Sequence, residues 1–253
     1  TWLTNANMRF ASHADYASRS QEEILGDFLH EFEYLEIDTL ETVILLNLPN
    51  GIEKVALNPV AQWAPCFGPT VADFNNDGHE DVFLSQNLDT GNHEWGRMDA
   101  GHGLLLLGDG EGSLNAIPST ASGIRLKNEQ RGTATADFNQ DGKMDLAVLE
   151  RGEGAHLFVN QTEHTGVTVS LEGPSANPHC IGARLQKINL QTGNVYGPAK
   201  EIQSGSGYRS LNSLKHVFAH PGKAFQIQVT WPNGKISRHS IPSGITKVTL
   251  QQP

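Results

Sequence analysis

Two stretches of this chain are copies of one another. Phe67–Leu84 (FGPTVADFNNDGHEDVFL) aligns without gaps onto Arg131–Val148 (RGTATADFNQDGKMDLAV), 64 residues further on, with 8 identities in 18 positions. A repeat at such a period constrains the architecture strongly, because each copy is a supersecondary unit that buries its apolar face against its neighbour. Both copies hold A-D-F-N-x-D-G-x-x-D between small or β-branched residues and an apolar run. That pattern reads as strand, turn-rich loop, strand.

A second recurring element is an apolar strand ending at a turn: VILLN (43–47), GLLLLGDG (103–110) and HLFVN (156–160). Asn50-Gly51 and Asp109-Gly110 carry the strongest short hairpin signals, since such residues tolerate positive φ. The chain has 26 Gly and 12 Pro among 253 residues, which favours tight turns over long helices. One N-terminal helix is expected where Ile24, Leu25, Phe28, Leu29 and Phe32 recur at helical spacing behind a Ser20/Glu23 capping box, and it is expected to pack on a blade. The fold class is therefore all-β. Radially repeated antiparallel blades, as in a propeller, fit the pattern and hide most strand edges.

The repeated loops carry the chemistry. In the first, Asp73, Asn75 and Asp77 stand at positions 1, 3 and 5, Gly78 follows, and Asp81 is at position 9; in the second these are Asp137, Asn139, Asp141, Gly142 and Asp145. Alternate oxygen side chains on a tightly wound loop turn inward, and a calcium-sized cation takes six to eight oxygens. Position 7, His79 or Lys143, would contribute its backbone carbonyl, so its side chain is free to vary. An EF-hand needs a bidentate Glu at position 12 between helices. Position 12 here is Leu84 or Val148, each in a β-like run. Two calcium sites (Ca2+) between strands are the expectation, against the alternative of plain polar turns.

These loops resemble the FG-GAP or VCBS repeats of β-propellers, a family in which D-x-N-x-D-G-x-x-D binds calcium between the strands of a blade. Beyond Glu163 the repeat stops, and VTVSL (167–171), ARLQKI (183–188), FQIQVTW (225–231) and KVTL (247–250) read as strands of a separate module. That module resembles the ASPIC/UnbV domain through Asn177, Ile181-Gly182-Ala183-Arg184-Leu185, Gly205-Ser206-Gly207-Tyr208 and Trp231-Pro232-Asn233-Gly234. It departs from the family at Ser210-Leu211 and Phe218-Ala219-His220. The resemblance implies propeller blades over 1–163, then a small β-sandwich-like ASPIC/UnbV module over 164–253. The blades would be the C-terminal part of a propeller whose other blades belong to a longer parent chain.

Charge narrows the function. Eighteen Lys and Arg against 28 Asp and Glu give a net charge of −10, which repels phosphate backbones and anionic lipid, so nucleic acid is not the expected partner. No apolar run approaches the ~18 residues of a membrane span. Catalytic motifs are sparse. His216 and His220 lie four apart without a third ligand, His93-Glu94 does not open an H-E-x-x-H, and Gly205-Ser206-Gly207 lacks a full nucleophile elbow. Trp63 and Trp95 read either as blade core or, if exposed, as platforms for sugar rings. Asn160-Gln161-Thr162 is a glycosylation sequon by pattern. Cys66 and Cys180 read as small buried apolar residues, with one bridge between them left open.

The expected protein is a non-enzymatic, secreted or cell-surface (or periplasmic) calcium-binding chain that presents loops to an unknown protein or glycan ligand. Loops of this charge bind calcium in about the 10⁻⁶–10⁻³ M range, the weaker end of which only extracellular calcium fills. A polysaccharide-active enzyme or accessory module, and a structural spacer, are the alternatives.

Overall fold

The computed structural model describes residues 10–31, 33, 36–89, 96–220, 222 and 224–253. The chain divides into two compact units, Thr1–Leu40 and Glu41–Pro253. In the first, Ser20 caps a short helix, Gln21–Leu25, whose capping box with Glu23 forms as the sequence predicts. The helix is shorter than its apolar spacing suggests. At Gly26 (φ +55) the chain leaves α geometry and continues as a 3-10 segment, Gly26–Glu31, because glycine tolerates the left-handed region that ends the helix. No residue of Gln21–Leu25 is buried, and Phe32 lies outside the described residues.

The second unit is all-β apart from single turns of helix. β1 (Val43–Leu48) and β2 (Gly51–Ala56) form a hairpin. Because Leu48 pairs with Gly51, the two-residue turn is Pro49-Asn50 rather than Asn50-Gly51; Gly51 is already in strand register. β3 (Cys66–Ala72), β4 (Asp81–Gln86), the short pair β5 (Leu88–Asp89) and β6 (Arg97–Met98), β7 (Leu104–Gly108) and β8 (Leu114–Ile117) follow. β3-β4-β7-β8 make one four-stranded antiparallel sheet. The repeat then returns as β9 (Gln130–Ala136), β10 (Asp145–Glu150) and β11 (Gly154–Phe158), ordered β11-β10-β9. β9 and β10 start and end 64 residues after β3 and β4. β11 follows β10 directly, where the first sheet inserts the segment holding β5 and β6.

The two repeated sheets meet along their first strands. The hydroxyls of Thr70 on β3 and Thr133 on β9 hydrogen-bond, and a Cβ on Gly68 would stand 2.5 Å from the Arg131 carbonyl oxygen, so only glycine permits this approach. Between the sheets Phe74 and Phe83 pack with Leu146 and Val148 in one buried cluster.

The remaining strands are β12 (Gly166–Glu172), β13 (Arg184–Ile188), β14 (Val195–Glu201), β15 (His216–Ala219), β16 (Phe225–Thr230), β17 (Ile236–Ile241) and β18 (Lys247–Gln251). They form two sheets, β15-β12-β18 and β14-β13-β16-β17. Their inner faces supply one core, with Val167, Val169 and Phe218 from the first and Leu185, Ile227 and Val229 from the second. β14, β15 and β17 carry no clean alternation in sequence and emerge only from pairing. Trp231-Pro232-Asn233-Gly234 turns β16 into β17, with Gly234 at φ +80 and its N–H donating to the Trp231 carbonyl. Val217 of β15 belongs to the same buried cluster as Phe74 and Leu146, so the last strands share a core with the repeated sheets. Cys66 and Cys180 are both free thiols. Burial pushes the Cys66 thiol up to about 11.

Candidate cation loops

Each repeated loop joins two antiparallel strands, β3 to β4 and β9 to β10, and is closed by the same set of hydrogen bonds. Asp73 Oδ1 and Oδ2 accept from the N–H groups of Asp77 (3.1 Å) and Gly78 (2.9 Å); Asp137 does the same for Asp141 (2.9 Å) and Gly142 (3.1 Å). Asn75 and Asn139 accept from the same Asp77 and Asp141 amides, and donate Nδ2 to the carboxylates of Asp77 and Asp141. Asp77 accepts from the His79 amide at 2.8 Å and Asp141 from the Lys143 amide at 3.0 Å. The apex residues Asn76 and Gln140 take φ +56 and +62, and Gly78 and Gly142 take +98 and +79, which explains the glycine after position 5.

The position-9 aspartates are clasps as well as loop members. Asp81 and Asp145 are fully buried and pair in register with Ala72 and Ala136. Asp81 accepts from the Phe74 amide (2.7 Å) and the Gly108 amide at the end of β7 (2.9 Å); Asp145 accepts from the Phe138 and Asn160 amides, both at 2.8 Å. One carboxylate thus ties its own loop to the third strand of its sheet. Buried amides need such partners, and an ionised acceptor supplies a stronger bond than a neutral one.

Electrostatics in the first loop are strained. Burial, reinforced by the charges of Asp73 and Asp77, pushes the Asp81 carboxyl up to about 6, although the Gly108 and Phe74 amides work the other way. Asp73 is raised by burial first, with Asp77 and Glu80 adding to it, while the Gly78 amide and the Lys200 ammonium lower it. Crowded carboxylates with no neutralising cation oppose one another, and a divalent ion removes that cost. The donor set, oxygen only, fits a hard cation. Among the described residues no three His, Cys, Asp or Glu side chains converge in metal-binding geometry; the loop carboxylates are turned onto backbone amides instead.

Both loops abut the later strands. Asn76 Nδ2 donates to the Gly142 carbonyl in the second loop (3.3 Å) and to the His164 carbonyl (3.0 Å). Gly142 in turn accepts from the Gly166 amide at the start of β12 (2.7 Å), and Asp137 Oδ2 accepts from the Thr168 hydroxyl (2.7 Å). Asn160 was legible only as a sequon, yet its Nδ2 donates to the Phe74 and Met144 carbonyls, at 2.7 and 3.0 Å. It is a crosslink between the two loops.

Elsewhere the catalytic motifs resolve into structure. His216 Nε2 meets the Glu201 carbonyl at 3.1 Å, and His220 Nδ1 accepts from the Gly222 amide. Ser206 Oγ accepts from the Asn212 amide at 2.6 Å within a tight turn, so it is a turn hydroxyl. Trp63 is 61% exposed, against its reading as core; Trp95, with His93 and Glu94, lies outside the described residues. No helix is long and apolar enough to cross a membrane among the described residues.

The fold and the paired loops define an all-β chain built on a strand-loop-strand repeat. The family model of the FG-GAP-like repeat matches residues 73–148, from the first aspartate of one loop to position 12 of the other. The chain is also similar to cartilage acidic protein 1. It is 27% identical to the Homo sapiens protein over 185 residues, covering 71% of this chain and 27% of that relative. The Xenopus tropicalis protein is 27% identical over 184 residues and the Mus musculus protein 28% over 183, each covering 68% of this chain and 26% of the relative.

Proposed function

We propose that this chain is a non-catalytic, calcium-stabilised recognition protein of the extracellular space, in which FG-GAP/VCBS blades are joined at about residue 164 to an ASPIC/UnbV-like sandwich. The observation that carries the reading is the identity of the two loops bond for bond, with oxygen donors at positions 1, 3, 5 and 9 of each. Asp73, Asn75, Asp77 and Asp81, with the His79 carbonyl, would hold one Ca2+; Asp137, Asn139, Asp141 and Asp145, with the Lys143 carbonyl, would hold the other. Calcium would neutralise the carboxylates and pin each loop to its strands.

The extracellular assignment rests on the name of the similar proteins, cartilage acidic protein 1, and on the calcium supply that weak loops require. Since this chain spans 27% of the human relative, the ligand is a proposal about this segment alone. An unknown protein or glycan is the proposed ligand, and the exposed indole of Trp63 favours a sugar-stacking contribution. The β1–β2 hairpin, with Leu45 and Ile52 exposed, is the proposed contact for further blades of a longer parent chain.

Thermal melts in millimolar calcium and in chelator test the cation. Calcium at about 100 times its Kd adds about 2.7 kcal/mol, a rise of several degrees. Asp77→Ala and Asp141→Ala are each expected to remove part of that rise; identical melts with and without calcium in the unaltered protein overturn the reading. A glycan array run beside a turnover screen separates the roles: binding without turnover supports recognition, turnover an enzyme, and neither a spacer.

A further inference from the structure

The later half of the chain delivers two ammonium groups to the first loop. Lys187 of β13 and Lys200 of β14 line one small cavity together with Asp73 and Gly78. Lys187 Nζ would stand 3.9 Å from a Cβ on Gly78, donates to the Ala219 carbonyl at 2.8 Å and sits over the Phe225 ring. Lys200 Nζ is 2.9 Å from Glu80 Oε1 and lies over the Phe218 ring. Both side chains are therefore held in place. Glu80 offsets Lys200, whereas Lys187 has a carbonyl as its hydrogen-bond partner.

The second loop meets different groups. Asp137 faces the Thr168 hydroxyl, and Lys247 reaches only Gln140 Oε1 on the exposed apex, where solvent screens its charge. Lys143 belongs to that loop itself and is half-buried, as Lys187 is, with its backbone amide donating to Asp141.

Resting on the calcium reading above, we infer that Lys187 is a tethered cation that competes with calcium at the first loop, so that the later module sets the affinity of this site and makes it the weaker of the two. A fixed ammonium beside Asp73 repels an incoming divalent ion and satisfies part of the carboxylate field without it.

Calcium calorimetry on single-loop variants tests this. Asp141→Ala leaves the first loop and Asp77→Ala leaves the second. In the Asp141→Ala protein, Lys187→Met is expected to raise calcium affinity about tenfold and Lys187→Arg to leave it unchanged. In the Asp77→Ala protein, Lys143→Met is expected to change affinity much less. No gain with Lys187→Met overturns the inference, as does an equal gain with Lys187→Arg. If neither single-loop protein binds calcium, the calcium reading itself fails; if both bind with equal affinity, only the lysine inference does. Hydrogen exchange of the unaltered protein gives a readout independent of whether the variants fold. In chelator the amides of 138–143 should lose protection before those of 74–79, and loss in the reverse order or together counts against a tethered cation.

Discussion

The side-chain amide of Asn76, at the apex of the first loop, donates to the carbonyl of Gly142 in the second, 66 positions along the chain. Asn76 is 7% exposed and sits at φ +56. It thus meets two demands at once, a left-handed backbone and two carbonyl partners. Asn76→Gly keeps the first and loses the second; Asn76→Val loses both. Urea unfolding should show the glycine variant less stable by about 1–2 kcal/mol and the valine variant by more. Equal midpoints for the two would show that the backbone angle contributes nothing.

Asn160 leads to a related expectation. Its Nδ2 serves the Phe74 and Met144 carbonyls, so Asn160→Ala should cost about 1–3 kcal/mol, and Thr162→Val less, because Phe74 keeps its bond from Asn160. Mass spectrometry after expression in a glycosylating host should find Asn160 unmodified in the folded protein.

Asp145 accepts two amides through its two carboxylate oxygens. Asp145→Asn preserves shape but turns an NH2 toward one of those donors, so it should destabilise the fold even in chelator, by about 1–3 kcal/mol. A variant that loses stability only in calcium would make Asp145 purely a ligand.

His216 gives a pH dependence with a definite sign. Burial first, and then the Lys200 ammonium, push its pKa down to about 4, while the Glu201 carbonyl and the Glu80 carboxylate oppose the shift. The folded state therefore holds the imidazole neutral. Stability is complete above the unfolded pKa of ~6.5 and falls as pH drops from there toward 4, by about 2 kcal/mol at pH 5. Denaturation between pH 7 and 5 should show a shallower loss in His216→Gln than in the unaltered protein; parallel curves would remove His216 as the cause.

The loops were legible in sequence because their chemistry is local. Positions 1, 3 and 5, the glycine after them and the strand on either side follow from spacing within twelve residues, and the offset of 64 transfers intact to β3/β9 and β4/β10. The hydrophobic alternation of FQIQVTW likewise fixed β16. By contrast, the N-terminal helix ends at Leu25, short of its apolar spacing, which says nothing of how Gly26 turns the chain.

What only the tertiary structure decided lies between segments distant in sequence. The bonds of Asn160 go to carbonyls 86 and 16 residues away, and Lys187 lines a cavity with Asp73 and Gly78, more than a hundred residues earlier. β14, β15 and β17 owe their existence to partners, as Lys200 and Val217 owe their positions to packing. Local spacing determines which oxygens one turn can gather. Which charges face that turn is set by the sheets that fold against it, and no period in the sequence encodes that.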